Sequence, residues 1–231
     1  MKKMTRMSFY LMLLSTLIMM VIAYLNSSLD FINIDFKLEK AINIKNFFLE
    51  INEIFMLISI FFVLLLALLE LISNSNNFDI YFVSIGKKPQ IIIAKIVAYS
   101  LIILFYLLLN YFGIIIIYLI RFKIHYFFKE ISLLFIFHLF FLEILFLFSL
   151  LLINITHNYF VVLVPIGLYW MAKIDFSIKY NQIFHYVFLN LNYVYEKIAF
   201  DFMTPNYYPI IYYLFLFFLN VLLYSNQDIK T

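Results

Sequence analysis

Six long apolar runs, separated by shorter polar stretches, set the pattern of the chain. A helix that crosses the hydrocarbon of a membrane needs about 20 apolar residues, because each backbone polar group must be satisfied within its own segment. The pattern therefore predicts an all-α integral membrane protein with six transmembrane helices. The predicted spans cover residues 7–25, 51–72, 91–120, 131–153, 159–174 and 207–224.

Two of the predicted spans depart from a simple helix. The third, at 91–120, is long enough to tilt or to extend beyond the bilayer. The fifth, at 159–174, is short and contains Pro165 and Gly167, so a kink or a broken helix is expected there. The segment 175–206 before the last span is rich in aromatic residues and is predicted to be either re-entrant or surface-lying on the outer side.

Composition supports a membrane location. Of 231 residues, 66% are hydrophobic and 13% are charged, and the mean hydropathy is +1.02. Soluble domains are about half apolar and about a quarter charged. One core could not bury this much apolar surface, so lipid is the expected solvent of a single membrane domain over residues 1–231.

Charge and cysteine content exclude other classes of protein. The net charge of +3 is small and scattered, which does not suit binding to nucleic acid. The absence of cysteine excludes disulfides, thiolate nucleophiles and metal sites built on cysteine.

Heavy use of Ile, Asn, Lys, Phe and Tyr with little Ala is typical of an AT-rich bacterial genome, so we expect the bacterial cytoplasmic membrane.

The orientation follows from the basic residues around the first span. Lys2, Lys3 and Arg6 precede it directly, which predicts a cytoplasmic N-terminus and, with six spans, a cytoplasmic C-terminus. The segments then placed outside hold more Lys and Arg than those placed inside, but the first helix usually dominates. No small-x-small cleavage site follows the first run, so a retained helix is expected.

A short amphipathic helix is predicted at 76–85, between the second and third spans. Asp79 adds a negative charge to its first turn, which favours the helix. Its apolar side chains recur at i, i+3, i+4 and i+7, on one face: Phe78, Tyr81, Phe82 and Ile85. Gly86 permits a stop after this helix, and Pro89 suits the start of the next one.

Two interpretations of the 76–85 helix remain open from the residues alone. Its aromatic side chains suit headgroup depth, and Lys87 and Lys88 suit lipid phosphates, so the helix can be an interfacial anchor. Alternatively, the same apolar face can dock on a partner protein. The sequence pattern is equally compatible with both.

The region from 68 to 100 resembles permease subunits of type-2 ABC exporters. The resemblance rests on an acidic residue that closes the second span, on the short polar-aromatic helix, and on the element VSIGKKPQIIIAKIVA. It implies that Glu70 is the family's acidic residue, that 76–85 is the coupling helix, and that Lys95 is the lysine of the AKIVA element. The scarcity of glycine and the partial replacement of small residues around the basic pair depart from the family.

The resemblance implies the partners and the division of labour. The chain would form a dimer with a second permease copy, identical or paralogous, and would contact a separate ABC ATPase. The residues implied in that contact are Phe78, Asp79, Tyr81, Phe82, Ile85, Lys87 and Lys88. ATP and magnesium would bind to the ATPase, since the chain itself contains no G-x-x-x-x-G-K-[ST] loop.

No motif indicates an enzyme or a bound cofactor. G-x-S-x-G and H-E-x-x-H are both absent, and the four histidines lack metal-ligand spacing. His138 and Glu143 share the fourth span, but a separation of five residues places them on different faces of a helix. The chain is therefore expected to bind no metal and to perform no chemistry.

Polar residues within the spans are the candidates for structure or gating. An ionised carboxylate such as Glu143 costs about 2.5–3.5 kcal/mol at the centre of a membrane helix. It is expected either to bond Asn110 or a tyrosine hydroxyl, or to mark a substrate path or subunit interface. Glu70 and Lys95 are expected either to pair across the second and third spans or to reach the headgroups independently.

The function that this sequence predicts is ATP-driven export, with amphipathic peptides such as toxins as the substrate class that the resemblance favours. Three alternatives belong to other classes: the substrate-binding membrane subunit of an importer, a six-span secondary transporter, and a regulatory or assembly protein. An ATPase gene next to the gene for this chain would favour the exporter or the importer subunit over the secondary transporter and the regulatory or assembly protein.

Overall fold

The computed structural model describes residues 2–29, 55, 57–69, 88–122, 128–156, 158–165, 167 and 208–226. Every regular element in these ranges is helical and none is a strand, so the all-α prediction is confirmed for the described part of the chain. The α-helices are α1 (Lys2–Leu29), α2 (Leu57–Leu69), α3 (Lys88–Phe122), α4 (Phe128–Thr156) and α5 (Tyr208–Asn226).

Two of the described helices are long and apolar enough to cross a membrane. These stretches are Lys88–Ile117 in α3 and His138–Thr156 in α4. The apolar stretches described in the other helices are shorter, namely Phe9–Ile22, Leu57–Leu69 and Ile210–Asn226. The described part of the chain is thus helical and contains two helices of spanning length. The other four predicted spans stay predictions.

The start of α3 agrees with the sequence. The helix begins at Lys88 and carries Pro89 in its first turn, where the missing backbone N–H has no intrahelical partner to lose. With 35 residues and a rise of 1.5 Å per residue, α3 is about 52 Å long, which exceeds a hydrocarbon thickness of about 30 Å. Extension or tilt of this helix is therefore required in any bilayer. Helix α5 likewise has a proline, Pro209, in its first turn.

The start of the fifth predicted span is a 3-10 turn and not an α-helix. Asn158 has an extended backbone with φ −115° and ψ 131°, and its side chain accepts a hydrogen bond from the Phe160 backbone N–H at 3.0 Å. This cap begins the 3-10 turn Tyr159–Val162. The sequence predicted a kink or a broken helix in this span at Pro165 and Gly167. The structure has a 3-10 turn at its start, where the asparagine cap favours a tight turn, and residues 163–165 then continue as α-helix. Residues 168–174 lie outside the described part.

The chain forms two compact units that share helices. Unit 1 comprises Met1–Phe62 and Leu104–His138, and unit 2 comprises Val63–Ile103 and Leu139–Thr231. Helices α2, α3 and α4 each contribute residues to both units, whereas α1 belongs to unit 1 and α5 to unit 2.

The core of unit 1 is aromatic. Met12, Thr16 and Met19 form the buried side of α1, at the spacing of one helix face. Phe55 and Tyr106 are fully buried and lie against each other, with ring centroids 6.2 Å apart. Helix α1 therefore packs one narrow face inward and leaves most of its apolar side chains exposed.

The core of unit 2 centres on α4. Seven consecutive residues, 141 to 147, are all buried, so neighbouring segments cover this part of the helix on every side. A helix that is apolar all round is typical of the centre of a helical bundle. Glu143 lies within this covered stretch.

A close approach within unit 1 occurs at Gly113 on α3. A methyl group added there would overlap the end of the Met20 side chain of α1, whereas one added at Gly167 would meet no atom within 4 Å. Gly113→Ala is expected to be mild, because the end of a methionine side chain can move. Gly113→Leu is expected to destabilise the fold by about 1–3 kcal/mol, because the larger side chain overpacks the contact.

Thermal unfolding in detergent measures this difference, with Gly167→Leu as the matched control in open space. A Gly113→Leu protein as stable as wild type would show that α1 does not pack on α3 at this point.

Candidate functional site

The structure describes four of the residues that the sequence marked as candidates: Lys88, Lys95, Asn110 and Glu143. The other marked residues lie in the range 70–87, outside the described residues, as does the segment 175–206. Those other residues are Glu70, Phe78, Asp79, Tyr81, Phe82, Ile85 and Lys87. Their assignment to a coupling helix therefore stays a prediction.

Lys95 contacts an aromatic ring in unit 2. Its Nζ lies 5.8 Å from the centroid of the Tyr224 ring, so a lysine of α3 meets a tyrosine of α5. An ammonium over a ring face is attracted by the negative face of the π system. The expected pair with Glu70 involves a residue outside the described part, and the Tyr224 contact was not anticipated from the sequence.

Glu143 receives a hydrogen bond from α3. Ser100 Oγ donates to Glu143 Oε2 at 2.6 Å, a short hydrogen bond between two oxygen atoms. The Tyr213 hydroxyl of α5 is close enough to interact with both Ser100 and Glu143. Three helices thus bring one carboxyl group and two hydroxyl groups together; we call these three residues the carboxyl cluster.

The expected bond between Glu143 and Asn110 is not formed, whereas the expected tyrosine hydroxyl does lie nearby. Asn110 follows Ser100 by ten residues, which is about 15 Å along a helix. Glu143 meets α3 at Ser100 and therefore lies out of reach of Asn110. The signal for Ser100 was a single hydroxyl residue within the apolar run IVAYSLIILF.

Aromatic rings position the carboxyl cluster. The Tyr213 ring lies edge-on to the Phe140 ring of α4, with centroids 6.3 Å apart. It also stacks on the Phe217 ring, with centroids 6.5 Å apart. On α3, Tyr99 contacts the Phe146 ring at 5.2 Å. Since aromatic rings have few rotamers, these contacts restrict where the hydroxyl of Tyr213 can lie.

A second bond joins α5 to α4 in unit 2. Asn220 is fully buried, and its Nδ2 donates to the backbone carbonyl of Leu147 and to that of Leu216, both at 2.9 Å. Because the Leu147 carbonyl is part of α4, the hydrogen bond from the Asn220 side chain links α5 to α4. Within the described ranges, Asn220 Oδ1 has no hydrogen-bond partner.

Asn110 belongs to a separate polar network in unit 1. Its Nδ2 donates to the Tyr106 carbonyl at 2.8 Å and to Thr16 Oγ1 of α1 at 3.4 Å. The Tyr106 hydroxyl shares a hydrogen bond of 3.2 Å with Ser59 Oγ of α2. Polar side chains therefore join α1, α2 and α3, and the described contacts of Asn110 are those of a structural link.

His138 is a buried partner of Tyr111 in the same unit. The Tyr111 hydroxyl and His138 Nδ1 share a hydrogen bond, and the Phe55 ring lies edge-on to the imidazole with centroids 5.2 Å apart. Among the described residues, His138 Nε2 has no partner. His138 and Glu143 thus have different neighbours, as their separation of five residues predicts.

Neither cluster has the ligands of a transition-metal site. In the described part of the chain, no group of three or more His, Asp or Glu side chains could hold a metal ion. The carboxyl cluster offers oxygen atoms and one potential negative charge, which suits hydrogen-bond donors and cationic groups. The network around Asn110 offers uncharged groups that are already bonded to one another.

Comparison with protein-family models, with curated proteins and with solved structures finds no match.

Proposed function

We propose that the chain is a multi-span protein of a bacterial cytoplasmic membrane and serves as the membrane subunit of an ATP-driven exporter. The membrane part of the proposal is carried by the exposed side of α3. Its large exposed side chains recur every three or four residues and none is charged: Ile93, Val97, Leu101, Phe105, Leu108, Phe112, Ile116 and Ile120. Soluble monomers rarely expose so large an apolar patch.

Helices α1 and α5 support the same placement. The large apolar side chains exposed on α5 are Ile210, Ile211, Leu214, Phe215, Phe218 and Leu222. The polar side chains Asn110, Glu143 and Asn220 are buried instead. An apolar exterior around buried polar groups is the arrangement that lipid favours, because polar groups in the hydrocarbon need partners within the protein.

The exporter part rests on the resemblance of residues 68–100 to type-2 ABC permeases. Helix α3 begins at Lys88, so the region implied as the coupling helix leads directly into a helix of spanning length. In such a subunit, ATP binding to a separate ATPase would move this region and shift the membrane helices between two states. Amphipathic peptides are the proposed substrates, and a second permease copy completes the transporter.

A six-span secondary transporter is the second candidate. The observation that favours it is Glu143, because ionisable residues inside membranes often mark ion and substrate pathways. Such a transporter would work without an ATPase partner, so one experiment distinguishes the two candidates.

That experiment is co-purification in detergent with the ATPase encoded nearby. Tyr81→Asp combined with Phe82→Asp is expected to weaken recovery of the ATPase at least about 30-fold, because charged groups would replace two central aromatic contacts. The control for the added charge is Thr156→Asp combined with Asn158→Asp, which places two carboxylates on exposed polar residues at the end of α4, outside the predicted spans.

Each outcome decides between the candidates. Loss of the ATPase in the first variant alone would support the coupling helix and the exporter. Equal recovery with wild type and with both variants would make 76–85 a lipid anchor. If no ATPase is recovered with wild type, the exporter proposal is wrong and the secondary transporter takes its place.

A further inference from the structure

The carboxyl cluster has an unusual charge balance. Glu143 is only 6% exposed and lies on the stretch of α4 that is covered on every side. Its described neighbours are the hydroxyl groups of Ser100 and Tyr213, which bring no positive charge. Since a bare carboxylate is costly away from water, this group must hold either a proton or a cation.

The basic residue on the same stretch of α3 is directed elsewhere. Lys95 precedes Ser100 by five residues, and its ammonium lies over the Tyr224 ring. Among the described residues, the carboxyl group of Glu143 thus meets hydroxyl groups and no cationic group.

The surroundings of the cluster indicate what kind of cation fits. Ser100 and Tyr213 are half-buried, so two of the three residues of the cluster lie partly at the surface. The residues beside them are exposed and apolar: Val97, Leu101 and Leu214. A ligand that enters here meets hydroxyls and a carboxyl group at one end and apolar surface at the other.

We propose that Glu143, Ser100 and Tyr213 bind the primary ammonium group of an amphipathic amine, whose apolar tail lies along Val97, Leu101 and Leu214. A primary ammonium has three N–H donors, and the cluster offers a carboxylate and two hydroxyl oxygens as acceptors. Ser100 can accept from the ammonium while it continues to donate to Glu143. The inference goes beyond the proposed function and depends only on its membrane part.

Binding is tested with octylammonium on the purified chain in a neutral detergent. At about ten times the dissociation constant, a ligand specific for the folded state is expected to raise the unfolding temperature by about 3–6 °C. Wild type should show this rise, and Glu143→Gln should lose it at the same amine concentration. Comparison at equal concentration removes the effect of amine that simply enters the micelle.

The remaining probes separate the parts of the ligand. Octanol lacks the charge, octyltrimethylammonium lacks the N–H donors, and sodium ion lacks the tail, so each should give less than half of the rise. Ser100→Ala should weaken the response. Ser149→Ala is the matched control, because this buried hydroxyl of α4 bonds the Leu145 carbonyl at 2.8 Å, and its response should equal that of wild type.

Several results would overturn the proposal. An equal rise in wild type and Glu143→Gln would show that the carboxyl group is not involved, and an equal rise with sodium ion would make the cluster an inorganic cation site. If Glu143→Gln does not fold, an unaltered response in Ser100→Ala decides against the site. The assay contains no ATPase, so the exporter proposal can fail while the amine site stands, and the reverse also holds.

Discussion

Replacement of Tyr106 by alanine is expected to destabilise the chain by about 3–5 kcal/mol, the range for removal of a large buried aromatic side chain. Tyr106 is completely buried in unit 1 and is among the largest side chains there. Its ring stacks on the rings of Phe62 and Phe55, with centroids 4.2 Å and 6.2 Å apart. The substitution therefore leaves a cavity beside these two rings. Titration with a denaturing detergent measures the loss.

Tyr106→Phe is the matched control, because it removes only the hydroxyl that bonds Ser59 at 3.2 Å. Hydrogen bonds between membrane helices contribute about 0.6 kcal/mol on average and about 1.7 at most. The phenylalanine variant should therefore lose much less stability than the alanine variant. Equal losses would show that the hydroxyl network, and not the packing of the rings, holds this part of unit 1.

Within the described ranges, the sequence predicted where α3 and α4 lie, because their signals are local. Long apolar runs indicated α3 and α4, and Pro89 indicated where α3 starts. The sequence also marked Asn110 and Glu143 as unusual, since a polar side chain inside an apolar run needs a partner within the protein. Both are buried in the structure.

The partners of those residues were harder to predict, because they depend on how each helix is rotated about its axis. A run that is apolar on all sides, like that of α4, gives no amphipathic direction from which to infer rotation. Glu143 was therefore assigned to Asn110 as readily as to a tyrosine, and its bond to Ser100 was missed. The sequence predicted an interruption of the fifth span at Pro165 and Gly167, and the structure has a 3-10 turn earlier in it, at Tyr159–Val162, because the side chain of Asn158 caps that turn.

The rotation of α3 about its axis also decides which of two neighbouring residues is buried, and the sequence cannot distinguish them. Phe105 and Tyr106 are adjacent aromatic residues in one apolar run, yet Phe105 is 52% exposed and Tyr106 is 0% exposed. Only the packed structure shows that one side chain faces out and the other faces in. What Phe105 faces is the central physical question about this chain, because both proposals require lipid there.

Phe105→Arg is expected to destabilise the inserted protein by about 2.5–3.5 kcal/mol, the cost of arginine near the centre of a membrane helix. An exposed residue in a soluble protein would tolerate the same change within about 0.5 kcal/mol. The amount of folded protein recovered from the membrane fraction and its stability in detergent titration measure the effect. Gln90→Arg is the control, since this exposed residue in the first turn of α3 lets the guanidinium reach the headgroups.

The two arginine variants separate the possible surroundings of α3. A large loss for Phe105→Arg with little change for Gln90→Arg requires a hydrocarbon environment at the middle of the helix and polar surroundings at its start. Small effects in both would mean that water contacts the exposed stripe of α3. The membrane placement would then be wrong, and the exporter and the amine site, which both depend on it, would be lost together.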